Sequence, residues 1–236
     1  SVVSYAQDFR KAENTYFKRE YVKAFQEFGS LAKQGDLKAL TYLARLYDEG
    51  QGISQDTKKA EDLRREAFLK ATQLADDGDA EAQLILGIMY KSGIATPRDY
   101  KEAVTWLHKA AVQGYAEAQF QLVRMYGRGN GVPRDLKEAT RWLRKAAKQG
   151  HIKAQLDLAN LYRSGNKDLG VIKNDKDAEV WFLKAFHNIE PLAEQGYVRA
   201  QYDLGELYYN SKGIPKDRKE AVKWYRKAAK QGYFLA

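Results

Sequence analysis

Apolar residues return along this chain with a helical beat, and the beat is itself repeated. Ala118, Leu122 and Tyr126 stand at i, i+4 and i+8, one stripe of an α-helix. The same residue types recur as Ala39, Leu43, Tyr47; Ala82, Leu86, Tyr90; Ala154, Leu158, Tyr162; and Ala200, Leu204, Tyr208. A second helix follows each stripe, marked by an alanine three positions before an indole. The pairs are Ala103 and Trp106, Ala139 and Trp142, Ala178 and Trp181, and Ala221 and Trp224, with Leu63 in the indole's place after Ala60. The predicted unit is a helical hairpin, helix A then helix B.

Turn chemistry agrees with that unit. Gly129 and Gly131 supply positive φ between the helices, with counterparts at Gly50 and Gly52, Gly93, Gly165 and Gly170, and Gly213. Asp135 caps helix B, and Glu138 completes a capping box; Asp99 with Glu102 and Asp217 with Glu220 repeat it, while Asp56 and Asp175 keep the cap alone. A glycine closes every unit: Gly35, Gly78, Gly114, Gly150, Gly196 and Gly232, at spacings of 43, 36, 36, 46 and 36 residues. A fixed period in this range marks a solenoid, whose units bury their apolar sides only by stacking on neighbours.

The chain therefore reads as one all-α domain over residues 1–236. A degenerate hairpin occupies 3–35, repeats occupy 36–78, 79–114, 115–150, 151–196 and 197–232, and a further copy opens at 233–236. From the indole position to the closing glycine the short copies take 8 residues, whereas Leu63 to Gly78 and Trp181 to Gly196 take 15. Two lengthened B helices are predicted, by about two turns, with Pro191 interrupting the later one.

Composition narrows the class. There is no cysteine, so disulfides, thiolate metal sites and cysteine nucleophiles are excluded, and no run approaches the ~20 apolar residues of a membrane span. The chain opens at Ser1, which fits removal of a leader and decides nothing about compartment. The net charge of +9 is lopsided: residues 1–118 carry 17 Lys and Arg against 18 Asp and Glu, and residues 119–236 carry 23 against 13. That favours encounter with an acidic partner and says nothing about fold. His108, His151 and His187 lie at non-equivalent positions without ligand spacing, so neither a metal site nor a cofactor is expected. Gly127-Arg-Gly-Asn-Gly131 has no preceding strand and no following Gly-Lys-Ser/Thr, and is a hairpin loop rather than a phosphate loop. No nucleophile, base and orienting group can be named together, which argues against an enzyme.

The ordered run Ala82, Leu86-Gly87, Tyr90, Gly93, Asp99, Ala103, Trp106, Lys109-Ala110-Ala111 and Gly114, with its siblings over residues 36–235, resembles the Sel-1-like repeat family, relatives of tetratricopeptide repeats. Val123, Ala44 and Ala159 depart at the small helix A position, as do Leu63 for Trp and Ser211 for the first loop glycine. The resemblance implies a right-handed superhelical α-solenoid that binds other proteins, commonly as an adaptor. It also implies a bacterial, periplasmic or secreted setting as the first expectation, with the cytoplasm as the second.

Comparing copies within the chain separates scaffold from surface. One stripe of helix A varies: Lys38, Tyr42, Arg45; Glu81, Ile85, Ile88; Glu117, Gln121, Arg124; Lys153, Asp157, Asn160; and Arg199, Asp203, Glu206. In tetratricopeptide-like stacking this stripe faces the concave side, so it is the expected partner-binding floor, the alternative being plain solvated surface. Tyr42, Ile85 and Ile88 are expected to form an exposed apolar contact there. On helix B, Arg141, Arg144, Lys145, Lys148, Lys223, Arg226, Lys227 and Lys230 read as a solvated outer face. The expected function is a non-catalytic scaffold gripping another protein, in its sharper form an envelope immunity protein that neutralises a secreted toxic effector. A secretion or signalling adaptor is the alternative; a nucleic-acid binder is the weaker one, because acidic residues interrupt the variable stripe.

Overall fold

The computed structural model describes residues 2–169, 171–210 and 213–233. Within them the helices are α1 (Val2–Phe17), α2 (Tyr21–Lys33), α3 (Leu37–Glu49), α4 (Thr57–Asp76), α5 (Ala80–Ser92), α6 (Tyr100–Val112), α7 (Ala116–Arg128), α8 (Leu136–Lys148), α9 (Ile152–Ser164), α10 (Asp175–Glu194), α11 (Val198–Tyr209) and α12 (Arg218–Lys230). The only other regular feature among the described residues is an isolated antiparallel bridge between Asn166 and Val171. The fold is an all-α solenoid of helix-turn-helix repeats: α3, α5, α7, α9 and α11 are the A helices, and α4, α6, α8, α10 and α12 the B helices. The expectations for Gly170, Ser211 and Phe234–Ala236 fall outside the described residues.

The chain forms two compact units, residues 1–106 and 107–236. The first is cored by Phe28, Leu46, Leu86 and Met89, with the small Ala67 and Ala71 of α4 letting helices approach. In the second, one cluster joins Phe120, Leu143, Ala146, Ala147, Ala154 and Leu158, and another joins Phe182, Ile189, Leu204, Leu207 and Trp224. Fully burying each such large side chain contributes roughly 1.5–3 kcal/mol.

Each hairpin turn is fixed by a double use of its cap residue. Asp56 Oδ1 accepts from Lys59 N at 2.8 Å, Asp135 Oδ1 from Glu138 N at 2.9 Å, and Asp99 and Asp217 likewise from the first turn of their helices. The cap's own N–H donates to the carbonyl of the repeated tyrosine: Asp56 to Tyr47, Asp99 to Tyr90, Asp135 to Tyr126 and Asp217 to Tyr208. That donor is the one a capping-box glutamate would accept from, so the reciprocal half of the expected box is supplied by helix A instead. In the fourth copy the cap is Asn174, not Asp175: Asn174 Oδ1 accepts from Asp177 N at 3.1 Å and its N–H donates to Tyr162 O at 2.8 Å. Its spacing of seven residues to Trp181, shared by the other copies, is the signal that identifies it.

The closing glycines hold φ between 85° and 98°, a left-handed stop that only glycine adopts without strain. The second loop glycine has a steric reason as well. A Cβ at Gly52 would collide with the Tyr21 backbone at the start of α2, and one at Gly213 would lie 2.5 Å from Phe182 Cβ. In the second copy this position is Ala95, exposed and held at φ 59°.

As expected, α4 and α10 each have 20 residues where α6, α8 and α12 have 13. Pro191 does not interrupt α10, which runs on to Glu194. Pro191 is the seventeenth of the 20 residues, its ring is exposed, and the helix continues past it at the loss of the one hydrogen bond that its missing N–H would have made to the His187 carbonyl.

One repeated interaction had no counterpart in the sequence reading. Gln83, Gln119, Gln155 and Gln201 follow the stripe alanine in four copies and are at most 5% exposed. Each donates Nε2 to a carbonyl eight residues earlier, in the last turn of the preceding B helix: Ala75 (3.1 Å), Ala111 (3.0 Å), Ala147 (3.1 Å) and Ala193 (3.1 Å). The amide oxygen is used too. Gln155 Oε1 accepts from Asn188 Nδ2 at 3.0 Å and Gln201 Oε1 from Gln231 Nε2 at 2.6 Å. A single buried amide thus ties one B helix to the next A and B helices.

Candidate functional site

In the first unit the variable stripe lies on α3 and α5. Lys38 Nζ reaches Glu81 Oε1 at 2.5 Å, linking the two A helices, and stands over the Phe9 ring of α1 at 5.6 Å. Arg45 is exposed and paired with Glu49 at 3.7 Å, a turn further on. Ile88 is half-buried.

The expected apolar contact does not form on this face. Ile85 is 5% exposed and belongs to the core, in an α5 that is buried continuously from Ala82 to Gly87. Its unbroken Leu84-Ile85-Leu86 run was the available signal, since a helix apolar all round is a buried one. Tyr42 is drawn into the N-terminal hairpin. Its ring stacks on Phe28 at 4.6 Å, meets Phe9 and Tyr16 edge-on at 5.8 and 5.2 Å, and its hydroxyl donates to Glu13 Oε1 at 2.8 Å. Burial, with the Glu13 carboxylate beside it, pushes the Tyr42 phenol well above its ordinary range. Both residues belong to the scaffold rather than to an open contact surface.

In the second unit the stripe crosses α7, α9 and α11 as a chain of polar contacts. Gln121 donates to Glu117 at 2.5 Å, and Glu117 Oε2 lies 2.9 Å from His151 Nε2. His151 is the residue most undervalued by sequence. Its Nδ1 accepts from Ala154 N at 3.1 Å, capping α9 as Asp36 and Asp79 cap α3 and α5, and its ring stacks on Phe120 at 4.5 Å. Because Nδ1 is an acceptor, the ring proton resides on Nε2 and is donated to Glu117. The shared position immediately after the closing glycine is where this role could have been recognised.

Further along, Arg124 and Asp157 are exposed, and Asn160 accepts from Arg163 at 3.2 Å. Lys153 stands over Phe120 at 5.8 Å and is close enough to Asp157 and Asp203 to act on both electrostatically. Asp203 is half-buried on α11. Desolvation raises its carboxyl to about 6, Glu206 adds to the rise, and Arg199 and Lys153 oppose it. Glu206 accepts a 2.5 Å hydrogen bond from Tyr225 Oη of α12, and Tyr225 in turn meets Tyr202 at 5.5 Å. Arg199 is exposed beside them. The result, within the second unit, is a mixed-charge strip in which α7, α9 and α11 each present different groups from the same three positions.

The basic B faces behave as solvated outer surface. Arg141, Lys148, Lys223, Arg226, Lys227 and Lys230 are exposed, with Arg144 and Lys145 half-buried. Lys145 lies over Trp142 at 4.2 Å, Lys184 over Trp181 at 4.3 Å and Lys227 over Trp224 at 3.8 Å. The lysine ammonium groups rest on the indole faces in cation–π contact. Among the described residues no helix is long and apolar enough to cross a membrane.

Comparison with known proteins follows the same divisions. The Sel1 repeat family profile matches five times, at residues 37–63, 80–115, 116–151, 152–188 and 198–233. Among solved structures, a Sel1 repeat protein from Oxalobacter formigenes is 29% identical, with a TM-score of 0.54 over 95% of this chain and 83% of its own. The immunity protein Pa5087 from Pseudomonas aeruginosa is 18% identical, with a TM-score of 0.53 over 94% of this chain and 83% of its own. The Pseudomonas aeruginosa protein PA5086 is 20% identical, with a TM-score of 0.56 over 96% and 81%. The last two share the fold at identities too low to say more. No curated protein matches the chain.

Proposed function

Because the chain belongs to the Sel1 repeat family, we propose that it is a non-catalytic scaffold which holds another protein against the variable strip of its A helices. The observation that carries this reading is Asp203: a carboxylate kept half-desolvated at about 6, beside Lys153, Arg199 and Glu206, on a surface whose framework positions repeat and whose strip positions do not. Holding a charge there costs folding stability, and such sites are drawn disproportionately from binding surfaces. The residues proposed to meet the partner are Arg45, Glu81 and Ile88 in the first unit and Gln121, Arg124, Asp157, Asn160, Asp203 and Glu206 in the second; Tyr42 and Ile85 support them from beneath.

The sharper form of the proposal is an immunity protein of the bacterial envelope that neutralises a secreted effector, a role borne in name by Pa5087, which shares this architecture. A periplasmic or secreted setting goes with it. Co-purification under native conditions followed by mass spectrometry tests the scaffold reading. We expect one dominant protein partner, whose affinity falls at least about tenfold in Arg124→Glu or Ile88→Asp. Recovery of no protein, or equal binding by both variants, overturns the reading. The immunity form further requires that the partner be toxic and that this chain suppress the toxicity; a harmless partner selects the secretion or signalling adaptor instead.

A further inference from the structure

The outer side of the B helices holds one departure from the repeat that the A-helix strip does not explain. Six and nine residues after the cap these helices carry polar side chains: Asp62 and Arg65 on α4, Thr105 and His108 on α6, Arg141 and Arg144 on α8, and Lys223 and Arg226 on α12. On α10 the same two positions are Val180 and Leu183. They are 50% and 41% exposed, although α9, α11 and α12 all pack on α10 through Ala159, Leu204 and Trp224. The fold has no use for them, because the buried side of α10 is made by Ala178, Phe182, Ala185 and Ile189 on the opposite face. Helix length does not call for them either, since α4 is equally long and has charged residues there. Two aliphatic side chains one turn apart, held in water where every sibling is polar, mark a contact surface.

Charge indicates what it contacts. Trp181 packs on the Leu143 and Ala146 cluster of α8, and Trp224 of α12 belongs to the cluster of α10, so the two indoles mark the seams on either side of α10. Each seam bears an exposed lysine on its indole: Lys184 over Trp181 at 4.3 Å and Lys227 over Trp224 at 3.8 Å. An apolar centre between two cations suits an apolar anchor flanked by carboxylates. A second copy of this chain would bring the same basic α8 and α12 faces and be repelled. A lipid surface of uniform negative charge would meet exposed Glu179, beside Val180 and one turn before Leu183, whereas a protein can match the two signs separately.

We propose that Val180 and Leu183 of α10, framed by Lys184 and Lys227, are a second docking surface, which takes an acidic amphipathic segment of a partner protein. The apolar pair anchors the segment, and the two lysines receive the carboxylates on its flanks.

The test uses the whole chain and a fluorescent probe peptide, Glu-Glu-Leu-Glu-Glu-Leu-Leu-Glu-Glu-Leu-Glu-Glu, whose leucines share one helical face. Anisotropy is expected to show saturable binding that weakens as salt rises. Leu183→Asp and Lys227→Glu, both at exposed positions and checked for folding by circular dichroism, are each expected to weaken it about tenfold or more. Val180→Asp serves in place of either variant that fails to fold. The same peptide with serine for leucine is expected to bind about tenfold less well. Arg124→Glu, on the A-helix strip, is expected to leave binding unchanged, so failure of this surface and failure of the strip are read separately. Absence of saturable binding, equal binding of the serine peptide, or indifference to the α10 and α12 variants overturns the proposal. So does binding to phosphatidylglycerol vesicles, or a dimer in sedimentation, that Leu183→Asp abolishes, because the occupant is then a membrane or a second copy.

Discussion

Gln155 donates its side-chain amide to the carbonyl of Ala147, 3.1 Å away and on the other side of a helix boundary, while its oxygen receives the amide of Asn188. Removing this side chain leaves the buried Ala147 carbonyl with the Gly150 N–H as its remaining donor and opens a polar void in the core, while the exposed Asn188 amide turns to water. Gln155→Ala is expected to destabilise the protein by about 2–3 kcal/mol, and Gln155→Glu by more, because the carboxylate cannot donate to Ala147. Denaturant unfolding checks both. Leu40, which occupies this position in the first copy, indicates that Gln155→Leu combined with Asn188→Leu will recover part of the loss.

Asp203 supplies a pH signature. Its folded carboxyl titrates at about 6, above the ~3.9 of an unfolded aspartate. The folded state therefore binds its proton more tightly, so the group lowers stability fully above pH 6 and ceases to do so below about 4. Asp203→Asn is expected to raise unfolding free energy by about 1–2 kcal/mol at pH 7.5 and to make little difference at pH 4. Equal gains at both pH values would remove the electrostatic account. If the strip binds as proposed, the same variant gains stability and loses affinity.

Ala95 sits at φ 59°, where its siblings Gly52 and Gly213 have φ 74° and 71°. A non-glycine residue pays about 1–2 kcal/mol for that conformation, and glycine recovers it less the ~0.5–1 kcal/mol of its greater unfolded freedom. Ala95→Gly should therefore stabilise by roughly 0.5 kcal/mol. The reverse change, Gly52→Ala, should be strongly destabilising, since its Cβ would meet the Tyr21 backbone. Thermal unfolding of the two variants should move in opposite directions.

What could be read from sequence divides along physical lines. The hairpin, its aspartate caps, its glycine stops and the two long B helices all follow from local geometry, which a repeated pattern exposes five times over. Pairings that depend on a neighbouring helix were not legible in the same way. The buried glutamines look like surface residues until the carbonyl of the preceding helix is placed beside them. Tyr42 looks exposed until the degenerate α1 covers it, and Ile85 occupies a strip position yet lies within an apolar run that buries the whole helix. Asn174 has an aspartate beside it that competes for the cap by residue type, although the spacing to Trp181 favours the asparagine.

The length of α4 and α10 has a consequence in angle. Seven residues at 100° each sum to within about 20° of complete revolutions, so the added segment pushes the helix onward almost without rotating it. Ala75 and Ala193, each 19 positions after its cap, therefore present their carbonyls in nearly the same direction as Ala111 and Ala147, 12 positions after theirs, and Gln83 and Gln201 find them. An insertion of five would have turned that carbonyl by about 140° and left the incoming amide unanswered. Variation in the length of these B helices is thus quantised by the need to keep one buried amide aimed.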